Sequence, residues 1–570
     1  MNKLDLNLLR CALAVAKPFW VSPERRRAWG LVVLLVILLL ADTQLNVYFN
    51  KQSGEFTSAL AAQDGARFWR SIRAFLLLVV VAVPLYAWYY YVRDKLSLDW
   101  RSWLTSRFLS GYFANHAFYH LLARPEIDNP DQRIADDIAG FTTQSVSFLL
   151  LLLGGVFQLV AFSSVLWSIS SYLVLFLLLY AVVGTLIAFG VFGEKMVQLY
   201  FNQRRREADF RFGLVRIREN AEAIALYHGE QKEQAQVQKL FGEVYANFYR
   251  LIQWSLRLNF FQYSHSLLTM VIPSVIIAPR VLSGELEVGR VVQAEGAFAA
   301  ILAALTLLMG YLENLSRFAA GVGRLDSLAA SLQATRTGKF PGRERIVTQQ
   351  GLSVGLEGIT LLTPNYERIL VKDLTVSVSP GQHLMIVGAS GLGKSSLLRM
   401  IAGLWDAGAG TVLRPCSADI LFLPQHAYMI PGSLRQQLSY PALSREVSET
   451  EFQAVLEKVN LPDLVARCGG FDTELDFGKV LSVGERQRLA FARVLLTRPR
   501  YVLLDEATSA LDQENESALY RLLRDMETTL VSVSHHRALL QYHAQILELK
   551  PDGRWDLHPA AGFRFAEELA

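Results

Sequence analysis

Hydrophobic positions fall into two regimes along this chain. Up to about residue 320 they run in long blocks, each near the ~20 residues that a helix needs to cross a hydrocarbon core of about 30 Å. Past residue 350 they break into short runs punctuated by glycine, proline and charge, the pattern of buried strands and amphipathic helices. The blocks predict six spanning helices, at 29–49, 71–92, 145–166, 171–194, 256–279 and 291–314. Leu31 to Ala41 and Phe148 to Phe162 are the most uniformly apolar, whereas Ser264, His265, Ser266, Gln293 and Glu295 interrupt the last two blocks. Ahead of the first block, residues 3–20 (Leu4, Leu6, Leu8, Leu9, then Lys17-Pro-Phe-Trp20) predict a short helix along a membrane surface.

Composition sharpens this division. The 570 residues are 52% hydrophobic and only 19% charged, and the excess lies in the first half. A net charge of +4 gives no footing for nucleic acid. Cys11, Cys416 and Cys468 are too scattered for a disulfide framework or a zinc knuckle. The first 28 residues lack the apolar core and small-residue site of a cleavable signal, so none is expected. Lys and Arg crowd the N-terminal segment (Arg10, Lys17, Arg25 to Arg27) and the stretches 93–144 and 195–255. Positive charge stays on the cytoplasmic side, which places both termini and those two stretches there. Asp42, Asn46 and Asn50 recur every four residues and share a face of the first span. An ionised Asp in mid-bilayer costs about 2.5–3.5 kcal/mol, so this face should meet a hydrophilic cavity or the outer headgroups. His265 and Glu295 carry the same two readings.

The second half opens after a polar stretch. Arg317 to Ala334 keeps a helical period, and a linker over 336–350 then feeds a soluble domain. The domain boundaries expected are 1–28 for the N-terminal helix, 29–335 for the membrane helices with their cytoplasmic extensions, and 351–570 for the soluble domain. Inside it, an apolar run Leu384-Met-Ile-Val387 precedes Gly388-Ala389-Ser390-Gly391-Leu392-Gly393-Lys394-Ser395-Ser396, and a helical run follows. Strand, glycine loop and helix in that order make a phosphate cradle: backbone N–H groups face one anion, Lys394 reaches the β- and γ-phosphates, and Ser395 serves Mg²⁺.

Further motifs follow in a fixed order. Tyr501-Val-Leu-Leu-Asp505-Glu506 resembles a Walker B strand, Leu481-Ser482-Val483-Gly484-Glu485-Arg-Gln487 the ABC signature, and Gln425 the Q-loop glutamine. Ser509-Ala-Leu-Asp512 resembles the D-loop, and His535 the switch histidine. Over residues 350 to 550 the chain therefore resembles the ATPase domain of ABC transporters. The resemblance implies an α/β P-loop fold with a helical subdomain, behind an all-α, six-helix membrane domain of the exporter type (type IV). It implies ATP and Mg²⁺ as ligands, with Glu506 as base, His535 and Gln425 beside it, and Ser395, Gln425 and Asp505 around the metal. Ser482, Val483, Gly484 and Glu485 would face the ATP of a partner copy, so a homodimer of half transporters is expected. Two departures stand out: Val483 and Glu485 replace the usual glycine and glutamine. Thr363 occupies the expected adenine-stacking position, with Tyr366 as the nearby substitute.

Two cytoplasmic stretches narrow the resemblance. Asn129-Pro-Asp-Gln-Arg-Ile-Ala-Asp-Asp137 and Glu219-Asn-Ala-Glu-Ala-Ile-Ala-Leu-Tyr-His-Gly-Glu230 look like those of subfamily D half transporters and their bacterial relatives. Asn129, Asp131, Tyr227 and Gly229 are the expected coupling residues. That branch implies inward movement of a hydrophilic solute, such as a peptide or a cobalamin-like molecule, across a bacterial cytoplasmic membrane. The alternatives are export of lipid, acyl-CoA or drug, or an ATP-gated channel. The last fits poorly with retained Glu506 and His535.

Overall fold

The structure is a computed structural model describing residues 6–564 apart from 123–126, 311, 338–343 and 444. Leu4 of the expected N-terminal helix and residues 338–343 of the linker thus lie outside the described residues, and residue 311 interrupts the sixth expected span. The chain divides into two compact units, Met1–Thr337 and Gly338–Ala570.

The first unit is helical. Among the described residues five stretches are long and apolar enough to cross a membrane: Arg25–Ala61, Gly65–Leu122, Pro130–Ile169, Ser171–Glu219 and Glu230–Leu282. The sixth block falls on Gly289–Gly310 and the start of Leu312–Thr337. The helix Glu230–Leu282, 53 residues long, reaches about 80 Å at 1.5 Å per residue, far past a ~30 Å core.

Lipid offers no hydrophobic drive between helices, so small residues and hydrogen bonds hold them together. Gly54 and Gly289 meet where Arg25–Ala61 crosses Gly289–Gly310: a Cβ on Gly289 would lie 1.9 Å from the Gly54 carbonyl oxygen. The Gly289 N–H donates to Ser58 Oγ at 3.0 Å. Nearby, Arg67 donates to Glu55 at 2.7 Å and to Glu287 at 2.8 and 3.2 Å, tying the first hairpin to the segment ahead of the sixth block.

The helix Leu6–Trp20 differs from a free interfacial helix. Its Val15 and Phe19 are buried in a cluster with Trp100, Leu104, Phe108, Leu325 and Leu328, and Phe19 stacks on Trp100 at 5.6 Å. One face is thus spent on protein, and Leu9 and Leu13 on the other remain exposed for lipid. Sequence periodicity could not distinguish the two, because both faces are apolar.

Among the described residues the second unit carries twelve strands: β1 (Val347–Gln350), β2 (Val354–Leu362), β3 (Ile369–Val378), β4 (Leu384–Val387), β5 (Gly408–Arg414), β6 (Ile420–Leu423), β7 (Gly432–Ser433), β8 (Glu474–Leu475), β9 (Tyr501–Asp505), β10 (Thr529–Val533), β11 (Gln545–Leu549) and β12 (Trp555–Pro559). One sheet runs β1-β5-β2-β3, and the larger runs β12-β11-β4-β10-β9-β6. In the larger sheet all pairs are parallel except β11 with β12. β4, β9 and β10 are buried throughout, which explains their continuous apolar runs.

A helical part packs beside this sheet. Phe452, Leu456, Leu464, Phe477, Leu489 and Phe491 join its core. Arg493 is buried within it, donating to the backbone oxygens of Gln437 and Tyr428, both at 2.8 Å, and to Gln437 Oε1 at 3.1 Å. Burial lowers the Arg493 pKa to about 10, so the guanidinium still carries its charge at neutral pH.

Candidate functional site

Parallel strands bring their carboxyl ends to one edge, and the loops leaving that edge build the site. Val533 lies opposite Asp505, and Leu423 opposite Leu504. The segments leaving β4, β6, β9 and β10 therefore bring the phosphate loop, Gln425, Glu506 and His535 together.

The phosphate loop depends on its glycines. Gly388, Gly391 and Gly393 have φ of 143°, 82° and 95°, conformations costly for a residue with a Cβ. At Gly388 a Cβ would also lie 2.6 Å from the Leu549 carbonyl oxygen. The loop delivers the chain into the helix Lys394–Ile401, whose free N–H groups point back at the anion position. Lys394 is buried, and its ammonium donates to the carbonyls of Gly388 at 2.7 Å and Ala389 at 3.0 Å. Burial lowers its pKa, while the charges of Glu506 and Asp505 pull the other way. Ser395 Oγ donates to Asp505 Oδ1 at 2.7 Å. Burial raises the Asp505 pKa, opposed by the Ser395 hydrogen bond. Hydroxyl and carboxylate oxygens side by side are the hard donor set that Mg²⁺ takes, so these residues fit that ion.

Glu506 is held between two side chains. Gln425 Nε2 donates to its Oε2 at 3.0 Å, and His535 Nε2 lies 3.4 Å from its Oε1. The Glu506 backbone is left-handed at φ 47° and its N–H bonds the Val533 carbonyl, which turns the side chain off the end of β9. His535 has a lowered pKa, first from burial and then from Lys394, with Glu506 opposing. A carboxylate so placed can accept a proton from water, and the neutral histidine can steady it.

Ser482 caps the helix Val483–Thr497 through a reciprocal box: Glu485 N–H donates to Ser482 Oγ at 3.2 Å, and Ser482 N–H to Glu485 Oε2 at 2.9 Å. Arg467 also donates to Glu485, and with the cap it holds the carboxyl down to about 2. The departure at Glu485 is thus a helix cap, a role the usual glutamine also fills. Asp512 caps Gln513–Asp525 by accepting from the Asn515 N–H at 2.8 Å.

Other contacts escaped the sequence reading. Gln487, 2% exposed, reaches both the Q-loop and the D-loop. Glu516, also 2% exposed, accepts from Thr508 at 2.5 Å and lies 2.8 and 2.9 Å from His536 Nδ1. Asp137 pairs with Arg324, and Arg133 with Asp128 and Ser327, inside the stretch that signalled subfamily D. Arg324 and Ser327 lie 187 and 194 residues from Asp137 and Arg133, and Gln425 lies 62 from Gln487, so those pairings were not visible in sequence. Tyr366 sits at φ 65° in a turn, its hydroxyl bonded to the Glu344 carbonyl.

The polar residues of the membrane unit mostly join helices. Asn46 donates to Asp42 at 3.1 Å, and Tyr86 lies 3.5 Å from Asn46 Oδ1. Asn50 instead donates to the Gln293 carbonyl at 3.0 Å, and Ser274 donates to Glu295. His265 stacks on Tyr180 at 4.0 Å and fills the space left by Gly184. For Asn50, Glu295 and His265 the cavity reading competes with a contact to another helix, whereas Asp42 and Asn46 bond each other on one helix face, with Tyr86 beside them. Asn129 is left-handed at φ 41° ahead of Pro130, with Asp131 in the turn that follows. Tyr227 is 87% exposed, and Gly229 caps the next helix. On the β11–β12 hairpin, Glu548, Asp556 and His558 approach one another, but Lys550 already pairs with Asp556 at 2.5 Å and Glu548 at 3.4 Å.

Comparison with known proteins places this geometry. The family described as ABC transporter transmembrane region 2 matches residues 18–282, and the family described as ABC transporter matches 371–509. An uncharacterized ABC transporter ATP-binding protein of Synechocystis is 44% identical, covering 96% of this chain and 85% of the relative. The chloroplastic ABC transporter D family member 2 of Arabidopsis thaliana is 35% identical over 94% of this chain and 85% of its own. The human lysosomal cobalamin transporter ABCD4 is 30% identical over 97% of each. A solved bacterial Atm1-family ABC exporter with ATP bound superposes with a TM-score of 0.73 at 22% identity, over 95% of this chain and 96% of that one. At that identity the likeness concerns the fold.

Proposed function

Since this chain belongs to the ABC transporter family as a half-size member, coupling ATP hydrolysis to transport, we propose that two copies pair to carry a hydrophilic solute inward across a bacterial cytoplasmic membrane. The carrying observation for the chemistry is the Gln425–Glu506–His535 group beside the Ser395–Asp505 pair. The loop N–H groups and Lys394 hold the phosphates, Lys394 exchanging its loop carbonyls for phosphate oxygens. Glu506 takes the proton of the attacking water, oriented by Gln425 and His535. Ser395 and Asp505, with Gln425 beside them, would hold Mg²⁺, which would supply charge neutralisation on the phosphate oxygens. Ser482 and the Gly484 backbone face the partner's nucleotide, so neither copy completes a site alone.

Hydrophilic cargo is supported by Asp42, Asn46 and Tyr86. Asp42 lies about 20 Å along the helix from the cytoplasmic entry at residue 29, at 1.5 Å per residue, in the outer half of the bilayer. A polar group there suits loading from outside, and a relative named as a cobalamin transporter agrees with such cargo. The test is ATP-driven movement of cobalamin, and separately of a proline-rich cationic peptide, in vesicles of known orientation. Movement toward the ATPase side, abolished by Glu506→Gln, supports the importer. Outward movement, or stimulation of hydrolysis by lipids alone, assigns it to export.

A further inference from the structure

The geometry points to Gln487 as a positioning residue that transmits the state of one nucleotide site to the other. Its side chain is buried, 2% exposed, in the first turns of the helix that Ser482 caps. Nε2 donates to the Gln425 carbonyl at 3.2 Å and lies 3.5 Å from Ser509 Oγ. Oε1 accepts from the Ala510 N–H at 3.1 Å. The donor and the acceptor ends of one amide are thus engaged with two different motifs, the Q-loop and the D-loop. Gln425 in turn donates to Glu506 at 3.0 Å.

The inference rests on the pairing proposed above. In a pair, Gln425 and Glu506 serve a chain's own nucleotide, while Ser482 and Ser509 face the partner's. Gln487 belongs to the segment that reads the partner's site and grips the backbone of the residue that touches its own base. A shift of the signature helix therefore displaces the Gln425 carbonyl and the Ala510 N–H together. No charged residue could do this: a carboxylate cannot donate to Gln425, and an ammonium cannot accept from Ala510.

The experiment uses the full-length protein in lipid, comparing wild type with Gln487→Leu and Gln487→Glu. The measurements are ATP affinity, kcat, the Hill coefficient for ATP and Tm. Wild type should hydrolyse with a Hill coefficient above 1. Gln487→Leu should bind ATP within twofold of wild type, lose at least tenfold in kcat, and fall to a Hill coefficient near 1. Gln487→Glu keeps the Ala510 contact and loses the Gln425 one, so it should fall between. ATP-induced pairing of Glu506→Gln, followed by light scattering, checks the dimer separately. Its absence would overturn the pairing itself, whereas pairing with unchanged Hill coefficients and kcat in both variants would overturn only the role of Gln487. A wild-type Hill coefficient of 1, or loss of ATP affinity and Tm together in both variants, would overturn that role equally.

Discussion

Glu506 makes its contacts through both carboxylate oxygens, to Gln425 and His535, so it can lose its basicity without losing its place. Glu506→Gln should keep ATP binding and lower hydrolysis by about 10²–10⁴-fold, read as phosphate release against nucleotide affinity. His535 has a pKa lowered from 6.5, so it is neutral at neutral pH. The acid limb of kcat should accordingly lie below pH 6.5. His543 gives a stability effect instead. It is buried between the Leu539 carbonyl at 2.8 Å and Ser532 Oγ at 3.0 Å, and burial lowers its pKa to about 4. The unfolded chain binds a proton below pH 6.5 that the folded chain refuses until about pH 4. Stability from this residue is complete above pH 6.5 and falls by up to about 3 kcal/mol as pH drops through that window. Tm against pH, with His543→Gln flattening the slope, checks it. Lys394, Ser395, Asp505 and Glu506 were legible in sequence because phosphate chemistry admits few residue types at those spacings. Gln487, Glu516 and Arg493 were not, since an amide, a carboxylate or a guanidinium means little until the loops it bridges are folded against it.

Elements were legible in proportion to how uniformly they are buried. β4, β9 and β10 announce themselves as apolar runs, while β5 begins with Gly408 and Gly410 at φ of 139° and 109° and carries no such run. Those glycines let β5 pass against β2: a Cβ on Gly408 would sit 1.9 Å from the Thr360 carbonyl oxygen. Helix contacts in the membrane unit were hidden for a related reason, as a glycine in an apolar block signals nothing about its neighbour. Gly289→Ala places a methyl 1.9 Å from the Gly54 oxygen and should destabilise by about 1–3 kcal/mol, lowering Tm in detergent. Gly323→Ala, with open space at its Cβ, is the matched control and should be neutral or stabilising by up to about 1 kcal/mol.

At the scale of the molecule, the division into two units was plain from hydropathy, and the boundary at Thr337 falls inside the expected linker. Tyr227 is 87% exposed at the end of the short helix Ala221–Leu226. Tyr227→Ala should leave Tm unchanged and lower solute transport several-fold relative to ATP consumed. Vesicle transport and phosphate release on the same sample measure that ratio, and an unaltered ratio would remove Tyr227 from the coupling path.

The resting position of Lys394 sets a tempo for the whole cycle. Its ammonium is already satisfied by the carbonyls of Gly388 and Ala389, so nucleotide arrives by exchange rather than by filling a starved cation. The same oxygens can reclaim the lysine once the nucleotide leaves. Each nucleotide that binds therefore trades two hydrogen bonds for new ones, so Lys394 adds less to affinity than an unpaired ammonium would.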